Sequence, residues 1–218
     1  LDYRVWEQKF ELDSLAYPIT LAWTYWKETG DTSIFTGDLS LGFDRDFQTL
    51  QREQDHPRNS RYTHKEMVAG GRGNPVKYTG MIWSGFRPSD DACVFPFLVP
   101  SNLFAVTSLR QLAEMAKTIL GDNALAEESS ALSIEVERAL QHYAVATTSA
   151  GRIWAYEVDG YGSQLLMDDA NVPSLLGLPY LASSPDVELY TRTREFCWSD
   201  RNPWFFRGTA GEGIGGPH

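Results

Sequence analysis

The hydrophobic pattern of the chain alternates between helical stretches and polar connections. In six stretches, apolar residues recur every three to four positions, which is the spacing of an amphipathic helix. These predicted helices cover residues 11–27, 39–52, 102–120, 123–146, 173–181 and 185–198. One short alternating stretch, residues 153–158, predicts a strand that leads into a turn. Because no further alternation supports a doubly wound sheet, the pattern favours an all-α array of helical hairpins.

The connection at residues 54–100 stands out by its length. It is polar and rich in Gly and Pro, and connections this long are usually functional or disordered. It contains residues 83–92, with the sequence Trp-Ser-Gly-Phe-Arg-Pro-Ser-Asp-Asp-Ala, in which charged and aromatic side chains lie close together. We therefore expect this connection to be functional. The length of 218 residues fits a single domain over residues 1–218.

Charge and composition narrow the class of ligand. The formal net charge is −10 and the basic residues are scattered, which argues against nucleic acid as a partner. No run of about 18 apolar residues is present, so no membrane span is predicted in this segment. Aromatic residues make up 13% of the chain, and such rings stack on the apolar faces of sugars. An aromatic-rich core is the alternative explanation.

The sequence gives no support to metal or nucleotide chemistry. The four histidines show no ligand spacing, and neither a phosphate-binding glycine loop nor a nucleophile elbow occurs. Cys93 and Cys197 match no zinc or redox motif. We expect two buried free thiols, with a single disulfide as the alternative. Neither a metal nor a cofactor is predicted.

The first candidate site is the motif at residues 83–92. It places the adjacent carboxylates of Asp90 and Asp91 close to Trp83 and Arg87. Burial beside Trp83 would raise the pKa of a catalytic acid, whereas Arg87 would stabilise an ionised carboxylate. The alternative is that these aspartates cap a helix over residues 91–97.

Two later loops have a similar composition, rich in Asp, Gly and aromatic residues. Together with the motif they indicate a carboxylate-lined cleft that binds a polyhydroxylated ligand. Turn chemistry and helix capping also explain the aspartates of these loops. The candidate ligand-contact residues in them are Glu157, Asp159, Asp168, Asp169 and Asn171.

Carboxylates and aromatic side chains without metal or nucleotide motifs point to glycoside hydrolysis. In that reaction one carboxylic acid protonates the leaving oxygen, and in the inverting form a second carboxylate activates water on the opposite face of the sugar. Adjacent residues such as Asp90 and Asp91 can hardly form that pair, since the two groups must flank the sugar. The partner must come from another loop or lie outside this chain.

Several strings of the sequence resemble glycoside hydrolase family 125. They lie at residues 6–15, 83–92, 156–162, 165–173, 175–180 and 213–218, so the similarity runs over nearly the whole chain. The resemblance implies part of an (α/α)6 barrel, corresponding to an incomplete central portion of the catalytic domain. It also implies a metal-independent, exo-acting α-mannosidase that releases terminal α-1,6-linked mannose with inversion.

The resemblance assigns roles to residues of the Arg-Pro-Ser-Asp-Asp motif. It implies that the general acid is Asp90 or Asp91, and that the general base is a glutamate expected beyond residue 218. Trp83 and Arg87 join the loop residues as candidate sugar contacts, and the expected substrate is a mannose-containing oligosaccharide or N-glycan. The alternatives are another (α/α)6 glycosidase of the glucoamylase type, a fragment that binds glycans without cleaving them, and a purely structural helical array.

Overall fold

The computed structural model describes residues 8–181 and 186–217. Its α-helices are α1 Asp13–Thr29, α2 Gly37–Glu53, α3 His56–Asn59, α4 Val68–Gly71, α5 Val99–Met115, α6 Asn123–Tyr143, α7 Leu178–Leu181 and α8 Val187–Cys197. Its strands are β1 Phe97–Leu98, β2 Val145–Thr148, β3 Gly151–Trp154, β4 Glu157–Val158, β5 Gln164–Leu165, β6 Phe205–Arg207 and β7 Glu212–Ile214. The described part is therefore mainly helical, and it adds short strands that the sequence pattern did not predict.

The core is organised around α5, which packs against α1 on one side and α6 on the other. Most of its side chains are buried, so burial extends beyond the one apolar face that an amphipathic helix predicts. Helix α1 buries Ala16, Ile19 and Ala22 at helical spacing and ends at Gly30, whose positive φ of 71° lets its N–H bond the carbonyl of Trp26 at 2.8 Å. No helix in the described ranges is long and apolar enough to cross a membrane.

In the described part of the chain, three small antiparallel sheets lie among the helices. One has the order β1-β4-β5, with Phe97 opposite Val158 and Leu98 opposite Glu157. The hairpins β2-β3 and β6-β7 form the other two. The predicted strand at residues 153–158 is divided, since its first part pairs with β2 and its second part with β1 and β5.

The predicted helix at residues 173–181 is wrong over most of its length. Residues 173–177 form turns, and only Leu178–Leu181 is helical. The physical reason is that side chains take the backbone N–H groups: Asp168 accepts those of Leu175 and Leu176, each at 2.9 Å, and the hydroxyl of Ser174 accepts that of Gly177 at 3.0 Å.

The other helices are confirmed with shifted ends. Helix α5 begins at Val99 and has Pro100 in its first turn, where a missing N–H costs nothing. Its continuation, Ala116–Leu120, is a π-helix that Gly121 ends with a φ of 68°. Helix α6 ends at Tyr143, and α8 spans Val187–Cys197, while residues 182–185 lie outside the described ranges.

The loop that leads into the 83–92 motif is held by a buried asparagine on α5. Asn102 accepts the N–H of Ile82 at 2.8 Å and donates to the carbonyls of Ile82 and Leu98, both at 2.9 Å. The N–H of Trp83 bonds the carbonyl of Glu53 at the end of α2 at 3.0 Å. The start of the motif loop is thus tied to α2 and α5, which fixes the position of the residues that follow.

Candidate active site

The Arg-Pro-Ser-Asp-Asp motif forms a tight turn. The N–H of Arg87 bonds the carbonyl of Asp91, and the N–H of Asp90 bonds that of Arg87, each at 2.9 Å, while Phe86 pairs with Ala92 in a β-bridge. Asp90 has a φ of 64°, a left-handed conformation at the tip of the turn. The predicted alternative of a capped helix over residues 91–97 is wrong, because the chain here turns back on itself.

The two adjacent aspartates have different surroundings. Asp90 has a side chain that is 61% exposed and lies 3.6 Å from Lys9 Nζ. Asp91 is half-buried, and its Oδ2 accepts a hydrogen bond from the hydroxyl of Ser89 at 2.9 Å. The turn therefore presents one solvated, ion-paired carboxylate and one shielded, oriented carboxylate.

The segment before α1 and the first residue of α1 lie alongside this motif and bring two further carboxylates to it. The carbonyl of Phe10 accepts the N–H groups of Gly85 and Phe86 at 3.0 and 3.2 Å. The N–H of Leu12 donates to Ser84 Oγ at 3.1 Å. Glu11 and Asp13 therefore belong to the same region as the motif, although sequence reasoning gave neither a role.

The pKa values of these two carboxylates reflect their burial. Desolvation raises the pKa of Glu11 to about 7, and the negative charges of Asp13 and Asp90 contribute to the shift. Desolvation raises the pKa of Asp13 to about 6. Groups of this kind exchange protons near neutral pH and accept hydrogen bonds from a ligand when ionised. The sequence carried one signal for them, a Glu-x-Asp pair within the resembling string at residues 6–15.

Arg87 forms a buried ion pair with Glu157. Arg87 Nε lies 2.5 Å from Glu157 Oε1, and Glu157 is fully buried. The second oxygen, Glu157 Oε2, accepts the N–H groups of Val94 and Phe95 at 3.0 and 2.9 Å. These contacts favour a structural role for Glu157 over the predicted sugar contact. Arg87 Nη2, by contrast, is buried and has no hydrogen-bond partner within the described ranges.

Trp83 lies in the core rather than on an open surface. It is 1% exposed, and its ring stacks on that of His56 with centroids 3.7 Å apart and planes at 6°. His56 is oriented in turn by Glu53, whose carboxylate lies 2.6 Å from Nδ1. These contacts favour a packing role that supports the motif loop, so contact of Trp83 with a sugar remains a prediction.

The remaining predicted residues occupy two loops. Asp159 Oδ1 accepts the N–H groups of three following residues at 2.8–3.1 Å, which is the turn chemistry weighed as the alternative. Asp168 is fully buried and caps the turn over residues 173–177. Asp169 accepts the Tyr156 hydroxyl at 3.3 Å and the N–H of Asn171 at 2.8 Å. Asn171 is partly exposed.

Tyr156 connects one of these loops to the motif. The Arg87 guanidinium lies over the Tyr156 ring, 5.7 Å from its centroid, and the Tyr156 hydroxyl bonds Asp169. The structure therefore brings Arg87, Glu157 and Asp169 into one buried polar region. Asp159 and Asp168 instead hold their own loops in place.

Both cysteines, Cys93 and Cys197, are free and buried. Burial raises the pKa of each thiol, and negative charge adds to the shift from Glu157 at Cys93 and from Asp168 at Cys197. Across residues 8–181 and 186–217, no group of three or more His, Cys, Asp or Glu side chains could hold a metal ion.

We expect the free energy of unfolding to increase as the pH falls from about 8 to about 5. Burial raises the pKa of Asp168 to about 7, and Glu11, Asp13 and Asp46 are raised to about 7, 6 and 6. In this range the folded state binds more protons than the unfolded state, so stability falls as the pH rises. The expected gain is about 2 kcal/mol, allowing for solvent screening of the half-exposed groups.

Urea unfolding of the full-length protein at several pH values measures this dependence. Asp168→Asn should reduce the slope between pH 6 and pH 8. The matched control is Asp31→Asn, because the Tyr25 hydroxyl lowers the pKa of Asp31 and moves its titration below this range. A stability that is flat or rises with pH in the wild-type protein would show that these carboxyl groups are not buried as described.

The structure has a mainly helical scaffold whose irregular loops carry carboxylates, an arginine and aromatic side chains. These features are typical of carbohydrate-active proteins. A family model described as metal-independent alpha-mannosidase (GH125) matches residues 2–218. The chain belongs to this family, glycoside hydrolase family 125, as its motifs indicated.

Two relatives place the chain within the family. It is 39% identical over 235 aligned positions to the meiotically up-regulated gene 157 protein of Schizosaccharomyces pombe, covering 98% of this chain and 46% of that protein. It is 40% identical, with a TM-score of 0.93, to a Streptococcus pneumoniae metal-independent α-mannosidase solved as a non-productive complex with α-1,6-mannobiose, covering 98% of this chain and 53% of that one. The chain thus spans about half the length of these relatives.

Proposed function

We propose that this chain is part of an exo-acting α-mannosidase that hydrolyses terminal α-1,6-linked mannose from oligosaccharides or N-glycans. The observation that carries the proposal is the likeness over 98% of the chain, at a TM-score of 0.93, to a family member that was solved with α-1,6-mannobiose. The whole domain is proposed to be an (α/α)6 barrel, to which the helical pairs α1-α5 and α5-α6 contribute. The general base is proposed to lie in the part of the domain outside residues 1–218.

Asp91 is the proposed general acid. A general acid needs a fixed orientation and some shielding from water, and Asp91 is half-buried and held by Ser89 at 2.9 Å. Asp90 lacks both properties, because its side chain is 61% exposed and pairs with Lys9 at 3.6 Å on the surface. Asp90 is assigned to the surface of the site, where it neutralises Lys9.

The proposed reaction is a single displacement. The carboxylic acid of Asp91 gives its proton to the glycosidic oxygen as the bond from the anomeric carbon to that oxygen breaks. The general base removes a proton from a water molecule, whose oxygen forms the new bond at the opposite face of the anomeric carbon. The products are β-mannose and the shortened glycan. After this step Asp91 is ionised and the general base is protonated. Proton exchange with water returns both groups to their starting states.

Arg87 and Asn171 are the proposed sugar-binding residues with the best geometry. Arg87 Nη2 is a buried donor without a partner within the described ranges, and a ligand hydroxyl group would satisfy it. Asn171 is partly exposed next to Asp169, whose Oδ1 fixes the backbone of Asn171. Glu157 is proposed to orient Arg87 and Asp169 to orient Asn171, while Trp83, Asp159 and Asp168 are proposed to hold the loops of the site in place.

A panel of disaccharides tests the proposal in the full-length protein. We expect release of mannose from α-1,6-mannobiose, with kcat/KM at least about tenfold lower for the α-1,2 and α-1,3 isomers, since displacing one ring removes its fitted contacts. Maltose serves as the control for a glucoamylase-type enzyme. Release of glucose, or binding of mannobiose in calorimetry without any product, would contradict the proposal.

A further inference from the structure

The first turn of α1 contains a buried carboxylate that the protein itself pairs poorly. Asp13 is 6% exposed, and besides a bond from its own backbone N–H its carboxylate accepts a hydrogen bond from Ser101 Oγ at 3.4 Å, which is long for a bond between oxygens. Buried carboxylates are costly unless several hydrogen bonds compensate the lost water. Such a group requires an explanation, and a bound ligand that completes its hydrogen bonds is one.

A buried donor without a partner lies in the same polar region. Arg87 has a side chain that is 9% exposed, and its Nη2 has no hydrogen-bond partner among residues 8–181 and 186–217. Cys93 links the two groups: burial raises the pKa of its thiol, and the charges of Arg87 and Asp13 also act on it. The charges of the weakly paired acceptor Asp13 and of Arg87, which carries the unpaired donor, thus both reach the Cys93 thiol.

Three separate segments converge around Asp13. The motif turn approaches through the bond of Leu12 N–H to Ser84 Oγ at 3.1 Å. Helix α5 contributes Ser101. The loop that holds Asn171 approaches through the Tyr17 hydroxyl, which donates to the carbonyl of Val172 at 3.4 Å. Asp13 therefore lies on α1 between the start of the motif loop and the loop that holds Asn171.

We propose that Asp13 binds a hydroxyl group of the non-reducing mannose, with Arg87 as the donor to the same sugar. This inference rests on the proposed function and adds to it a specificity-determining residue. A sugar hydroxyl both donates and accepts, so a pair of neighbouring ring hydroxyls satisfies the Asp13 carboxylate and Arg87 Nη2 together. The interaction is of the charge-assisted kind and selects sugars that place these hydroxyls correctly.

Deoxygenated substrates test the inference from the side of the ligand. The wild-type full-length protein is assayed on α-1,6-mannobiose and on analogues that lack the 3-, 4- or 6-hydroxyl of the non-reducing ring. We expect at least one analogue to lose about 10- to 150-fold in kcat/KM, the range for a hydrogen bond to a charged group. If all three analogues stay within about threefold of the parent disaccharide, no ring hydroxyl is held by a charged group and the inference is overturned.

Variants of the protein assign the effect to Asp13. In Asp13→Asn, we expect kcat/KM for the parent disaccharide to fall at least about tenfold, and the penalty for the sensitive analogue to shrink to about threefold or less. The matched control is Asp46→Asn on α2, a half-buried carboxyl group whose pKa burial likewise raises, which should leave both quantities unchanged.

The outcomes separate this inference from the proposed function. Absence of mannose release by the wild-type protein contradicts the proposed function itself. The wild-type protein could release mannose normally while the Asp13→Asn variant keeps the full loss of kcat/KM on the sensitive analogue. That result overturns only the role of Asp13. Circular dichroism and thermal unfolding verify folding, and Asp13→Glu provides a second variant. If neither variant folds, Asp13 is a structural residue and the inference is likewise overturned.

Discussion

Asp91→Asn is expected to lower kcat for α-1,6-mannobiose by about 10³-fold or more, because proton donation by a positioned acid contributes about 10²–10⁴. The neighbouring substitution, Asp90→Asn, is expected to lower kcat by less than about fivefold, because the Asp90 side chain is 61% exposed and pairs with Lys9 at the surface. The two variants are matched in chemistry and adjacent in sequence. Steady-state hydrolysis of the disaccharide by the full-length protein measures both values.

A substrate with an activated leaving group is the control for this result. The 2,4-dinitrophenolate of an aryl α-mannoside departs without a proton, so Asp91→Asn should lose far less activity on it than on mannobiose. A folding defect would lower both rates equally. If instead Asp90→Asn shows the large loss on mannobiose and Asp91→Asn does not, then the assignment of the acid from burial and the Ser89 hydrogen bond is wrong.

Glu157→Ala is expected to produce the largest loss of stability, about 3–5 kcal/mol in the free energy of unfolding. The substitution leaves the buried charge of Arg87 without its partner at 2.5 Å, and it also removes the acceptor of the N–H groups of Val94 and Phe95. These N–H groups lie just after the motif turn, so we also expect weaker positioning of that turn. Urea unfolding monitored by circular dichroism measures the change.

The matched control for this stability test is Glu137→Ala. Glu137 pairs with Arg110 at 2.8 Å between α6 and α5, and both side chains are well exposed, at 34% and 45%. Surface pairs contribute about 1 kcal/mol or less. If Glu157→Ala costs no more than Glu137→Ala, then the Arg87–Glu157 pair is accessible to water and does not organise the motif turn.

The helical framework could be predicted from the sequence because each long helix carries its own apolar periodicity. Helices α1, α2, α5, α6 and α8 all follow such patterns, and their ends shifted by a few residues. The turns over residues 173–177 could not be predicted, because the Asp168 carboxylate takes the N–H groups of Leu175 and Leu176 from a position several residues earlier. A local pattern contains no sign of such competition.

The candidate site was only partly predictable. The motif at residues 83–92 stands out by composition, and its family could be recognised from it, as the match over residues 2–218 confirms. The neighbourhood of Asp13 depends on backbone bonds that join Phe10 to Gly85 and Phe86, more than 70 positions apart, and these have no signature in the sequence. Asp90 and Asp91 differ in burial. This difference could not be predicted either, because two adjacent identical residues cannot be distinguished by composition.

The most direct test of the account is proton NMR of α-1,6-mannobiose during hydrolysis by the full-length protein, with the anomeric signals of released mannose followed before mutarotation. We expect the signal of β-mannopyranose to appear first and that of the α-anomer to grow later, because water enters opposite the bond that Asp91 helps to break. Release of the α-anomer first, or no release of mannose, would contradict the account.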